Sequence, residues 1–299
     1  YTSCAHGHMG RRSAVSSRES SATRSEHRRA AVLLAAPLTW LLVVYLGALG
    51  ALLLTSFYGI DSFTNQVVRQ FTMANFVDVF TDSAYVKSAG RTVGVAASVT
   101  IIAVCLAVPM AFFIARVARP SLRPALIALV MTPLWASYLV KVYAWRTMLT
   151  PESGVLAWLG RGIGLHSPGY GLVGVVITLT YLWLPYMVLP IYTGLERLPS
   201  SLLDASADLG AGLGRTMRSV VLPVLKPAVI AGSIFTFSLS LGDYITVQIV
   251  GGKSQMLGNV VYQNFSLNLP FAAAVSVIPV AIMVTYLAMV RRSGALENL

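Results

Sequence analysis

Six long stretches of the chain contain no Asp, Glu, Lys or Arg: 30–60, 92–115, 124–140, 162–195, 227–242 and 254–290. A helix needs about 20 mostly apolar residues to cross the hydrocarbon core of a bilayer. The two short stretches reach that length by running past one charge each, Lys141 and Asp243. The pattern predicts six spans, near Ala31–Phe57, Thr92–Ala115, Pro124–Arg146, Leu172–Tyr192, Pro227–Ile249 and Pro270–Val290. Between the first two, Tyr58–Lys87 is polar and aromatic, carries Asp61, Asp78 and Asp82, and reads as external. A loop with Pro151, Gly154, Gly160, Gly162, Gly164 and Gly169 leads into the fourth span. Pro109, Pro133, Pro185, Pro190 and Pro279 fall inside spans, where neighbouring helices and Ser or Thr side chains can satisfy the freed carbonyls. The expected fold class is an all-α integral membrane protein.

Composition agrees. The 299 residues are 56% hydrophobic and 11% charged, with a mean hydropathy of +0.71. A soluble domain carries roughly 25% charged residues, so the bulk solvent of this chain is lipid. The net charge of +11 is a topology signal rather than a nucleic-acid one, because short cytoplasmic loops retain Lys and Arg. With the N-terminus inside, fifteen of the 22 basic residues are cytoplasmic. These are Arg11, Arg12, Arg18, Arg24, Arg28 and Arg29 in the tail, Arg116, Arg119 and Arg123 in one loop, Arg197, Arg215, Arg218 and Lys226 in the next, and Arg291 and Arg292. Arg69, Lys87, Arg91, Lys141, Arg146, Arg161 and Lys253 are outside. Both termini are therefore expected in the cytoplasm.

The apolar run after Arg29 continues to Ile60, about twice the 7–15 residues of a signal-peptide core, so it reads as a first span behind a disordered basic tail. Cys4 and Cys105 have no nearby His partners and give no metal-site spacing. No metal site and no catalytic cluster is expected. Gly252-Lys253-Ser254 imitates the end of a phosphate-binding loop, but that motif needs Gly where Val247 stands.

The loop between spans four and five is the informative stretch. Ser201 followed by Asp204, behind Pro199, predicts a capping box and a short helix from near Ser201 to Gly210. Leu202, Leu203, Ala205, Ala207 and Leu209 would give it apolar contact surface, with Asp204 and Asp208 on one face. So short an amphipathic helix does not stand alone and needs a partner surface. Asp204-Ala205-Ser206 is followed after three residues by Gly210, and after nine more by Val220-Val221-Leu222-Pro223. This resembles the Glu-Ala-Ala loop of binding-protein-dependent ABC importer permeases of the MetI-like type, with Asp for Glu at 204 and Ser for Ala at 206.

The resemblance implies that the loop is a coupling helix docking on a separate ATPase, through Ser201, Asp204, Ala205, Ser206, Gly210, Ala211, Leu222 and Pro223. It also implies an ATPase dimer inside, a second and related but non-identical permease, and an extracytoplasmic solute-binding protein. The chain itself is expected to bind no cofactor, ATP being held by the partner, and to reside in the bacterial inner membrane. Ser-Leu-Ser-Leu-Gly-Asp-Tyr-Ile-Thr (238–246), Val-Gly-Gly (250–252), Leu-Gly-Asn-Val-Val (257–261) and Gln263-Asn264-Phe265 look like the spermidine/putrescine branch. Parts of that signal are shared with permeases for ferric iron and other small solutes. On this reading residues 1–29 are a cytoplasmic tail, 30–292 the transmembrane permease domain and 293–299 a cytoplasmic C-terminal tail.

Asp243, expected near the outer half of span five, is a candidate for the substrate pathway, with Tyr244 offering a cation–π surface. The competing reading pairs it structurally with Lys141 or Arg146. Trp135, Tyr138, Tyr143 and Trp145 read as interfacial anchors, and His166 as a loop residue without a specific role. An ATP-independent secondary transporter would more often show inverted repeats or several intramembrane charges, and the sequence shows neither.

Overall fold

A computed structural model describes residues 34–35, 37–61, 64, 66–161 and 166–292. The two expected tails, the start of the first span, and Gly162 and Gly164 lie outside the described residues. The chain forms two units, 1–55 and 56–299. In the first, α1 (Pro37–Thr55) is an apolar helix long enough to cross a membrane, and the Thr55 hydroxyl donates back to the Ala51 carbonyl at 2.8 Å.

The second unit opens with a short antiparallel hairpin, β1 (Tyr58–Ile60) and β2 (Val67–Phe71), followed by α2 (Ala74–Thr81). Asn75 fastens the two together, its Nδ2 donating to the carbonyls of Ser56 (3.0 Å) and Tyr58 (2.9 Å). The segment between the first two expected spans, read from sequence only as polar and external, is therefore largely structured. Asp82 then caps α3 (Ser83–Phe112) by accepting the Ala84 N–H at 2.8 Å, so this span begins well before the predicted Thr92. With the π-helical turn Phe113–Val117 it runs 35 residues. That is about 50 Å at 1.5 Å per residue, longer than a hydrocarbon core of about 30 Å.

The predicted third span is broken. α4 (Arg123–Trp135) and α5 (Tyr138–Met148) meet at a 93° bend. Ala136 and Ser137 are extended, with ψ of 145° and 137°, just where the helix would need the Pro133 carbonyl. That carbonyl instead accepts from Lys141 Nζ at 2.9 Å. A freed carbonyl in an apolar setting must find a donor, and Lys141 supplies it.

After α6 (Val155–Arg161) come α7 (Leu172–Glu196), α8 (Ser200–Asp208), α9 (Leu213–Thr216), a second π-helical turn (Met217–Val221) and α10 (Leu222–Leu241). Pro223 sits in the first turn of α10 and has no N–H to return to the preceding turn; the π turn directly upstream widens the helix at that point. The predicted fifth span also stops early. α10 ends at Leu241, and α11 (Ile245–Val250) and α12 (Leu257–Asn264) follow as separate short helices before α13 (Leu269–Arg292). Among the described residues, five helices are long and apolar enough to cross a membrane, or six if the bent α4–α5 pair counts as one span.

Within the second unit, α3, α7 and α10 form the packed centre. At the end carrying α8, Ala111, Ile114, Ile191, Leu195, Val221 and Leu225 are buried together. At the opposite end, Val95, Val142, Leu179, Val247, Val250 and Met256 make a second cluster. Span hydroxyls bond back to the carbonyl one turn earlier, as with Thr178 to Gly174 (2.8 Å) and Thr180 to Val176 (2.7 Å). This back-bonding hides a polar group from lipid without an outside partner.

Candidate functional site: a docking helix and a broken span

The helix between α7 and α10 exists, one residue earlier than predicted. Pro199 is its N-cap, at φ −62° and ψ 135°, and no side chain caps it. The expected capping box therefore does not form. Proline offers no side-chain acceptor, and starting the helix at Ser200 shifts Ser201 and Asp204 past the positions a box requires. The C-terminal end is as predicted. Gly210 has φ +72°. The Gly210 N–H donates to Ala207 O (2.8 Å) and the Ala211 N–H to Ser206 O (3.0 Å). These two bonds make a Schellman stop, which favours glycine at the left-handed position.

Of the residues singled out in this segment, Ser201, Asp204, Ala205 and Gly210 are exposed, as are Leu222 and Pro223 beyond it, and Ala211 is half-buried. Ser206 differs. It is the buried residue of α8, with its hydroxyl 2.8 Å from that of Thr216. Leu209 is 88% exposed beside a groove of about 470 Å³ lined by Leu202, Ala205, Leu209, Ala211, Arg215 and Val220. α8 thus turns one polar residue inward and offers an apolar edge to something outside this chain.

The second site is the break between α10 and α11. Asp243 lies in it rather than inside a continuous span. The residue is 7% exposed, and its carboxylate accepts three hydrogen bonds. Oδ1 takes the Thr246 N–H at 2.8 Å, while Oδ2 takes the Tyr138 hydroxyl and, at 3.3 Å, the Thr246 hydroxyl. The expected pairing with Lys141 or Arg146 is not formed. Lys141 is turned to Pro133, and the Arg146 guanidinium lies 5.8 Å over the Tyr170 ring. Tyr138 is therefore a partner of the acid rather than an interfacial anchor. It also stacks on Trp183 with ring centroids 6.0 Å apart. Trp135 is exposed, and Trp145 packs on Tyr181.

Tyr244 is half-buried and stacks on the exposed Tyr262 at 4.8 Å. Its backbone carbonyl accepts from Asn259 Nδ2 at 3.0 Å. A Cβ at Gly258 would come within 3.0 Å of the Tyr244 Cβ, so glycine there lets α12 close against the break. The arrangement sets a carboxylate next to a residue with a stacked tyrosine face, a combination suited to an organic cation. Among the described residues no group of His, Cys, Asp and Glu could hold a metal ion. Tyr138, Thr246, Asn259 and Tyr262 were not legible as site residues; Tyr262 and Asn259 lie in the 257–265 segment, but only the fold shows what they touch.

The sequence profile of the binding-protein-dependent transport system inner membrane component family matches residues 103–293. The inner membrane ABC transporter permease protein YdcU of Escherichia coli (strain K12) is 42% identical over 285 residues, 90% of each chain. The spermidine/putrescine transport system permease protein PotB of Haemophilus influenzae is 30% identical over 234 residues, 76% of this chain and 81% of the relative. Among solved structures, a bacterial ABC transporter involved in the import of the acidic polysaccharide alginate superposes with a TM-score of 0.66 at 15% identity. That match covers 92% of this chain and 99% of the other, and it shows the fold.

Proposed function

This chain belongs to the binding-protein-dependent transport system inner membrane component family, and we propose that it is the polyamine-carrying permease of an ABC importer driven by a separate ATPase. It is a multi-pass protein of the inner membrane and an ABC permease subunit. The cargo is a small organic cation of the spermidine or putrescine kind. The observation that carries this is the 30% identity to a spermidine/putrescine permease over 76% of the chain. The fold alone carries no cargo, since the same architecture occurs in an importer of an acidic polysaccharide.

On this reading α8 is the coupling helix, in the cytoplasm with both termini, as the bias of Lys and Arg supports. Its exposed Ser201, Asp204, Ala205 and Gly210, with Ala211, Leu222 and Pro223 beyond, face one subunit of an ATPase dimer. Ser206 holds the helix to α9 from beneath. Nucleotide-driven closure of the ATPase pair displaces α8, and the spans change which side of the membrane they open to. Asp243 and Tyr244 line the route of the cation at the opposite end. Asp243 supplies charge and fixes the α11 restart, and Tyr244 supplies a π face. A second, related permease completes the route and an extracytoplasmic binding protein delivers the solute.

Affinity purification from the native membrane under mild extraction, with mass spectrometry of the co-purifying chains, tests this. The expected set is an ATPase with a Walker motif, a second permease and a polyamine-type binding protein. Recovery without any ATPase would overturn the role of α8. Recovery with a binding protein specific for ferric iron, an amino acid derivative or an anion would overturn the cargo.

A further inference from the structure

We propose that α3 is a connecting rod between the two sites and that Arg116 is the positioning residue that clamps its α8 end. The inference rests on the reading of α8 as the coupling helix.

Arg116 lies in the π-helical turn that ends α3. Its Nη2 donates to the carbonyls of Leu195 and Leu198. Leu195 is in the last turn of α7, and Leu198 immediately precedes Pro199, the N-cap of α8. The last carbonyls of a helix lack internal partners and form its negative end, so one guanidinium binds the exit of α7 and the entry to α8 at once. Both bonds come from one nitrogen, so a lysine ammonium, with three donors on a shorter and differently shaped side chain, reproduces the contact only in part. The neighbouring Ile114, Ala115, Leu195 and Leu198 are apolar and buried, and Arg116 Nε is buried among them without a partner. An apolar side chain would leave no such orphan donor, but it would also remove the donor shared by the Leu195 and Leu198 carbonyls.

The other end of α3 is clamped as well. Arg91 Nη1 donates to Gln255 O at 2.9 Å, and Thr92 Oγ1 accepts the Leu257 N–H at 2.9 Å. Residues 255 and 257 lead into α12, whose Asn259 holds the Tyr244 carbonyl. Between Thr92 and Arg116 α3 spans about 36 Å at 1.5 Å per residue. A displacement of α8 therefore pulls, through Arg116, on a helix whose far end is bonded to the segment closing over Tyr244. Apart from the exposed Arg91–Gln255 bond, each link is a buried or half-buried hydrogen bond to backbone, which transmits position better than a side-chain contact that can swing.

Hydrogen–deuterium exchange on the complete complex in nanodiscs, nucleotide-free and trapped with ATP and vanadate, reads both ends together. In the parent complex, trapping is expected to change exchange at least threefold in 200–209 and in 255–264. In Arg116→Gln, the change at 200–209 is expected to persist while that at 255–264 falls to less than a third of the parent's; Arg116→Lys should recover part of it. Thr92→Val, which leaves the α8 end intact, should give the same loss at 255–264 and decides the matter if Arg116→Gln does not assemble. An undiminished nucleotide response at 255–264 in these variants overturns the rod. Absence of a response at 200–209 in the parent overturns the reading of α8, and the rod with it.

Discussion

The hydroxyl of Ser206 lies 2.8 Å from the hydroxyl of Thr216, which ties the one buried residue of α8 across the Gly210 turn to the helix that follows. The bond keeps the helix from rolling, so its exposed face is presented in one orientation. A neutral buried hydrogen bond contributes about 1 kcal/mol net. Ser206→Ala and Thr216→Val are each expected to lower stability by about 1 kcal/mol, and the double variant by clearly less than their sum, as residues in contact are not additive. Thermal unfolding of the purified complex measures the cycle. Additive losses would show that the two hydroxyls do not act as a pair.

Gly210 stops α8 at φ +72° with open space around its Cα. The strain of a substitution there is therefore conformational rather than steric, roughly 1–2 kcal/mol for an L-residue in the left-handed region. Gly210→Asn should be mild, Gly210→Ala intermediate and Gly210→Val worst. The expected signature of Gly210→Val is retained expression and ATPase binding with transport per ATP reduced several-fold, measured as uptake against phosphate release. Full coupled uptake in Gly210→Val would count against the stop as part of the coupling device.

Tyr138→Phe removes the hydroxyl donor to Asp243 and leaves Thr246 as the sole partner of a buried carboxylate. Hydrogen bonds to charged groups contribute about 1.5–3 kcal/mol, and the loss should appear as a lower unfolding temperature with α4–α5 still folded. Asp243→Asn separates structure from transport. The amide oxygen can still accept the Thr246 N–H, so expression should hold while uptake of a polyamine falls at least tenfold. Unchanged uptake in a well-expressed Asp243→Asn protein would remove Asp243 from the route.

What the sequence made legible, and what it did not, follows the range of the interactions. α8 and its stop depend on residues within a few positions of each other, so Pro199, Gly210 and the spacing to Leu222-Pro223 were enough. The capping box failed because proline took the N-cap two residues before Ser201. The α4–α5 bend was invisible since 124–140 is apolar throughout and periodicity does not register two extended residues at Ala136–Ser137. The break at Gly242–Tyr244 reads as one charge within a span unless the partners of Asp243 are known. The nearest of these from another element, Tyr138, is 105 positions away. The mispairing with Lys141 has the same origin. Depth along a span can be read from sequence, but not which carbonyl a broken helix has left for a lysine to satisfy.

The most direct test of the account is uptake by the complete complex in proteoliposomes, with its binding protein outside and ATP enclosed with the ATPase. The account predicts accumulation of labelled putrescine or spermidine that requires both ATP and the binding protein and is competed by unlabelled polyamine. A complex that hydrolyses ATP and takes up ferric iron, an amino acid derivative or an anion, but no polyamine, would contradict it.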